Sequence, residues 1–215
     1  MKLKKLGVIL SSIVISGFVL ITSGVGPKVY AEIKSLLLVR DEYVNNFAAG
    51  VKISINEPDF PEGGKDDWTG NKTPKSVTIP NQGSTPALIR VAIVPRWVDK
   101  SNNPWPGDVS SNVVNIEYAN SRSWLKDDDG YYYYKSIVPG GVSTNEIITS
   151  VSLNENIFEI KDGKKELKEQ YKTYIGKTLI VDVKAEAVEA SQDAYSKVWP
   201  VLSDSVKNML NDLLG

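Results

Sequence analysis

From residue 51 onward the chain alternates rather than winds. Val51, Ile53 and Ile55 are apolar while Lys52, Ser54 and Asn56 are polar, the two-residue period of a half-buried strand. Val77 and Ile79 repeat the pattern in a short strand over 76–79, stopped by the turn cluster Pro80-Asn81-Gln82-Gly83. Residues 88–94 are mostly β-branched. Ile89, Val91 and Ile93 make the better core face, Leu88, Arg90, Ala92 and Val94 make the other, and Pro95 is expected to end the strand. Further strands are expected over 113–118, 123–126, 131–138, 146–153 and 178–190, with Asp127-Asp128-Asp129-Gly130 as a hairpin turn. In the last strand Leu179, Val181, Val183, Ala185, Ala187 and Ala190 oppose Asp182, Lys184, Glu186 and Glu189. The alternation slips at Val188, which predicts a bulge or an end there. Residues 57–74 and 99–112 are rich in turn formers; the first stretch is too polar for core.

Helical spacing is confined to two places. Residues 166–174 are a short charged segment with room for two turns. Over 191–214, Ser203 is placed to cap a helix carrying Val206, Met209, Leu210 and Leu213, and Pro200 separates it from a turn around 194–199. Strands parted by Gly/Pro turns, without helices alternating between them, predict an all-β chain. The expected architecture is a jelly-roll or Ig-like antiparallel β-sandwich with a short C-terminal helix.

The N-terminus has a different pattern. Lys2, Lys4 and Lys5 precede an apolar run over 6–21 broken only by Gly and Ser, and Val29-Tyr30-Ala31 offers a small-residue cleavage site. The run is short for a membrane span, which needs ~20 residues. A signal peptide over 1–31 is expected, cut between Ala31 and Glu32, with an uncleaved anchor as the alternative. Membrane association then precedes cleavage only. The new N-terminus over 32–46 carries Ile33, Leu36, Leu37, Leu38 and Val39, an apolar run that needs cover. It is either an edge strand of its own domain or a strand donated to a neighbouring copy, where backbone hydrogen bonds supply affinity and alternate side chains enter pockets. Head-to-tail donation does not close on itself and builds filaments. The expected divisions are the donor segment over 32–46, the β-sandwich over 47–190 and the helical tail over 191–215.

Composition narrows the chemistry. The 215 residues contain neither Cys nor His. That removes disulfides, thiol nucleophiles, thiolate and imidazole metal sites, and every Ser-His-Asp or Cys-His arrangement. Four of the 25 basic residues lie in the first 31, which hold no acid. The remainder therefore sets 21 basic against 26 acidic side chains, a net charge of −5 that disfavours nucleic acid as a partner. No cofactor is expected, and the chain is not expected to be an enzyme.

Few residues suggest a small-molecule site. Tyr131-Tyr132-Tyr133-Tyr134, extended by Trp97, Trp105 and Trp124, would suit sugar stacking, but alternation sends successive rings to opposite faces. Asp127-Asp128-Asp129-Gly130 lacks the ligand spacing of a calcium loop and reads as turn chemistry. Glu186 and Glu189, three apart on a strand, face opposite ways and make no glycosidase pair. An internal amide between a Lys and an Asn or Asp side chain would need a proximity that sequence does not display.

Several segments, in order, resemble the TasA/camelysin-like exported proteins. They are Asn45-Asn46-Phe47-Ala48-Ala49-Gly50-Val51, Pro80-Asn81-Gln82-Gly83-Ser84 leading into Arg90-Val91-Ala92-Ile93, Gly130-Tyr131-Tyr132-Tyr133-Tyr134-Lys135 leading to Val138-Pro139-Gly140-Gly141, and Lys184-Ala185-Glu186-Ala187-Val188-Glu189-Ala190. Within that family the chain is most similar to clostridial pilin-like biofilm matrix proteins of the BsaA type. The resemblance implies a jelly-roll-like sandwich, export through a dedicated signal peptidase, and assembly with copies of itself into matrix fibres by donor-strand exchange. Other matrix components are further candidate partners, and the surface or matrix of a Gram-positive bacterium is the implied location. The alternatives are a secreted glycan-binding adhesion module and a camelysin-like surface peptidase. For the last, a zinc site here would have carboxylates alone. Residues 26–39 lack the aromatic-rich start common after the family's cleavage site, and its core motif does not explain the helix after Ser191.

Overall fold

The computed structural model describes residues 37–46, 50–57, 69–119 and 122–215. The expected signal peptide, the Ala31–Glu32 cleavage point, Ile33 and Leu36 lie outside the described residues. Strands follow one another as β1 Leu37–Asn46, β2 Thr73–Val77, β3 Ala87–Val98, β4 Pro104–Trp105, β5 Val114–Tyr118, β6 Trp124–Lys126, β7 Tyr131–Tyr134, β8 Ile148–Leu153, β9 Phe158–Lys161, β10 Lys164–Leu167 and β11 Thr178–Glu189. Two helices then close the chain, α1 Gln192–Val198 and α2 Asp204–Leu214. The protein is mostly β, in several sheets with few helices.

The largest sheet runs β1-β11-β3-β7-β6, with β4 added to the far end of β3. A second sheet runs β2-β8-β5, and β9 and β10 form a separate ribbon. Residues 51–56 lie extended beside the second sheet, bridged at Ile53–Asn81 and Asn56–Thr78. The alternating apolar faces of both sheets meet in one cluster. Ile89, Val91 and Ile93 of β3 and Leu179, Val181, Val183, Ala185 and Ala187 of β11 join Val77, Val114, Val151 and Leu153 from the smaller sheet. The period of two read from the sequence therefore fixes which residues are inside.

Both terminal helices lie against the opposite face of the larger sheet. Tyr195, Trp199, Leu202, Val206 and Leu210 cluster with Leu88, Tyr133 and Val188. Ser203 caps α2 as expected, its hydroxyl accepting from the Val206 amide, and Ser191 caps α1 through Ala194 in the same way. Pro200 falls in the break between the two helices.

This second cluster explains the slip in the alternation at Val188. β11 pairs with β3 without interruption from Thr178–Val98 to Glu189–Ala87 and ends there, one residue past Val188, so the break is an end and not a bulge. The strand has apolar cover on both faces at that end, and an inward-outward alternation then reads as a slip. Pro95, by contrast, does not end β3 as expected; it pairs with Val181 in mid-strand. Proline is tolerated where one flank lacks a ladder partner. On the flank away from β11, the last β7 pair is at Ala92 and the first β4 pair at Trp97.

Three further expectations change. The presumed loop over 57–74 contributes Glu57 and Thr73 to the buried interior; residues 58–68 are outside those described. The charged segment over 166–174 divides into the end of β10 and a 3-10 helix, Glu169–Tyr174. The ladders are antiparallel as expected except one: β1 runs parallel to β11. A parallel pair needs a long crossover, and here everything between the first strand and the last supplies it.

Candidate functional site

The apolar run singled out in the sequence leads into an edge strand. Its described members Leu37, Leu38 and Val39 pair with Thr178, Leu179 and Ile180, and the ladder continues in register to Asn46–Ala187. Among the described residues β1 is terminal in the sheet, bonded to β11 alone. Its end is pinned where the Ile53 amide donates to Asn46 Oδ1 at 2.8 Å. Gly50, at φ +85°, occupies the left-handed region that suits glycine, and the chain turns there toward the next strand.

The strand that receives β1 is braced by charge on the face that the helices cover. Arg90 lies opposite Glu186 in the β3–β11 register. Its Nε and Nη2 donate to Glu186 Oε2 at 2.8 and 2.6 Å. Lys184 Nζ stands 3.0 Å from Glu186 Oε1, and Tyr131 donates its hydroxyl to the same oxygen at 3.2 Å. Asn45 of β1 reaches that oxygen too, at 3.5 Å. Burial pushes the Glu186 carboxyl up, but hydrogen bonds from Lys184 and Arg90 outweigh it and hold the group below the usual carboxylate range. The Arg90 guanidinium sits 4.0 Å from the Tyr131 ring centre and 4.9 Å from that of Trp199. Tyr133 donates to Asp129 Oδ2 at 2.7 Å, and burial with that bond raises its phenol well above the ordinary range. Further along, Arg96 Nε donates to Asp182 at 2.7 Å.

Chemically this cluster is a brace. Glu186 is ionised and multiply hydrogen-bonded, so it is a poor proton donor at neutral pH, and Glu189 is exposed on the other parity of the strand. Asp127-Asp128-Asp129-Gly130 forms the β6–β7 turn, with Gly130 at φ +86° and its amide donating to the Asp127 carbonyl. Among the described residues no three acidic groups converge to hold a metal ion.

The aromatic residues are distributed between the two cores. Tyr131 and Tyr133 pack with the helix-side cluster, and Tyr132 and Tyr134 with the inter-sheet cluster. Trp97 and Trp124 are buried, with indole N–H groups donating to the carbonyls of Asp108 and Glu146. Trp105 is half-buried and meets Trp97 and Tyr174 edge-on. These rings make no shared flat surface for a sugar.

Sequence reasoning missed one pair. Lys75 and Glu57 have fully buried side chains, with Nζ 2.8 Å from Oε2. The signal was present: Glu57 continues the inward parity of Val51, Ile53 and Ile55, and Lys75 precedes Val77 and Ile79 on theirs. Charge argued for the surface, and parity argued correctly for the interior.

Comparison with models of protein families, with curated proteins and with solved structures gives no match. No helix among the described residues is long and apolar enough to cross a membrane.

Proposed function

We propose that the chain is a secreted structural subunit of extracellular fibres, a jelly-roll or Ig-like sandwich that polymerises by lending its first strand to the next copy. The observation that carries this is the placement of β1: the first of the described strands, at the end of its sheet, and bonded among the described residues through one flank only. Such a strand leaves without breaking another ladder and without unthreading the chain. The β11 edge that it vacates accepts the same backbone pattern from any equivalent strand.

Donation in trans replaces the β1–β11 hydrogen bonds one for one, so the ladder itself favours neither arrangement. In cis the strand enjoys an effective concentration in the mM range or above. Polymer therefore requires additional gain, and the apolar residues Ile33 and Leu36 upstream of β1 are the candidates to supply it on a neighbour. The resemblance to TasA/camelysin-like proteins supports the same reading. It brings with it a dedicated signal peptidase, release from the membrane on cleavage, and the Gram-positive cell surface or matrix as the location.

Electron microscopy of mature protein beginning at Glu32, beside a version lacking residues 32–39, tests this. Fibres are expected from the first and not from the second, while circular dichroism reports a folded body in both. Fibres that persist without residues 32–39 overturn the reading.

A further inference from the structure

The buried Lys75–Glu57 contact does something the fibre reading does not require. Both side chains are wholly out of solvent, on the same inward parity as the core residues Val51, Ile53, Ile55, Val77 and Ile79 of their own stretches. Isolating an ammonium and a carboxylate from water costs several kcal/mol for each ion, and their mutual attraction commonly fails to return it. A neutral amide at the same place carries no such penalty.

The geometry points to a covalent link: we propose that Lys75 Nζ condenses with the Glu57 side-chain carboxyl to form an internal amide. A proton first passes from the ammonium to the carboxylate across the 2.8 Å contact. The freed amine lone pair adds to Glu57 Cδ, forming the C–N bond. A second proton moves from nitrogen to the departing hydroxyl, the C–O bond breaks, and one water leaves. No oxidant or activating group is consumed. Holding the partners together makes the step effectively unimolecular, and exclusion of solvent suppresses the return hydrolysis.

The link has a mechanical consequence. Residues 51–57 follow β1 and run beside residues 78–85, bridged at Ile53–Asn81 and Asn56–Thr78 and held by backbone hydrogen bonds at Lys52, Ser54 and Asn56. Asn56 pairs with Thr78, which sets Glu57 opposite Val77, and Lys75 is the next inward residue along that strand. An amide there ties the stretch after β1 to β2, so that tension on the first strand meets a covalent stop. The chemistry stands whether or not β1 is donated.

Intact-mass spectrometry of the purified full chain is the test, followed by tryptic mapping. The protein should be lighter than its sequence by one water. Digestion should yield a branched species joining residues 53–65 to 73–90, uncut after Lys75. Lys75→Arg preserves the buried cation but does not condense, and should restore the full mass and give unbranched peptides. An unmodified wild-type mass overturns the proposal. So does a missing water that persists in Lys75→Arg, since Asp129-Gly130 and Asp162-Gly163 are sites where backbone cyclisation expels water instead. Should Lys75→Arg fail to fold, Glu57→Gln substitutes for it: any condensation there must expel ammonia rather than water, and a retained loss of one water refutes the assignment.

Discussion

The two ends of the described chain dock on the same sheet by different physics. The N-terminal strand attaches edge-on, through backbone groups that every residue possesses. The C-terminal helices attach face-on, through the particular shapes of Tyr195, Trp199, Leu202, Val206 and Leu210 over Leu88, Tyr133 and Val188. An edge-on contact can be taken over by another extended segment, whereas a face-on contact fits its own side chains. One terminus is thus suited to exchange and the other to permanence. Glu186 joins the two, since it receives Asn45 from β1 and holds Arg90, which reaches Trp199 beneath the helices.

The largest expected effect breaks the permanent end. Trp199 is buried among the helices and the sheet, and Trp199→Ala should cost about 3–5 kcal/mol of unfolding free energy in urea titrations. The β1–β11 ladder does not pass through that cluster, so fibre formation by the folded fraction should be retained. A smaller effect sharpens the comparison at the residue shared by both ends. Glu186→Gln leaves Arg90 and Lys184 charged beside a neutral amide, and should cost about 1–3 kcal/mol at neutral pH. Because the folded-state pKa of Glu186 is lowered, its contribution is fully present above the unfolded value of about 4.3 and is lost as pH falls through the folded one. The stability gap between wild type and Glu186→Gln should therefore narrow below about pH 5. A gap independent of pH from 7 to 3 would remove the carboxylate brace from the account.

Local features were legible in the sequence and partnerships were not. Alternation placed Ile89, Val91 and Ile93 in the core, and the Asp-Asp-Asp-Gly turn and the Ser203 cap formed where their chemistry requires. Residues 206, 209, 210 and 213 announced an apolar helix face, though not the sheet it would cover. The same limit applies to β1: its apolar residues predict a strand that needs shelter, while its pairing with β11, 141 positions away at Asn45–Glu186, is a property of the assembled sheet. Pro95, Lys75 and Glu57 show a second limit. Each obeys the two-residue parity of its strand but carries a residue type that ordinarily argues against an interior or mid-strand position, and tertiary context overrides that preference. Val188 departs from parity for the opposite reason, because apolar cover on both faces hides the alternation.

Which copy supplies the strand at the β11 edge is the central question, and a cysteine trap answers it in a chain with no cysteine of its own. Val44 and Ala185 are register partners, so Val44→Cys with Ala185→Cys places two thiols across the ladder for oxidation. Under denaturing, non-reducing electrophoresis the donated strand predicts a ladder of covalent multimers from assembled mature protein. Closed monomers alone, at every concentration, would contradict it.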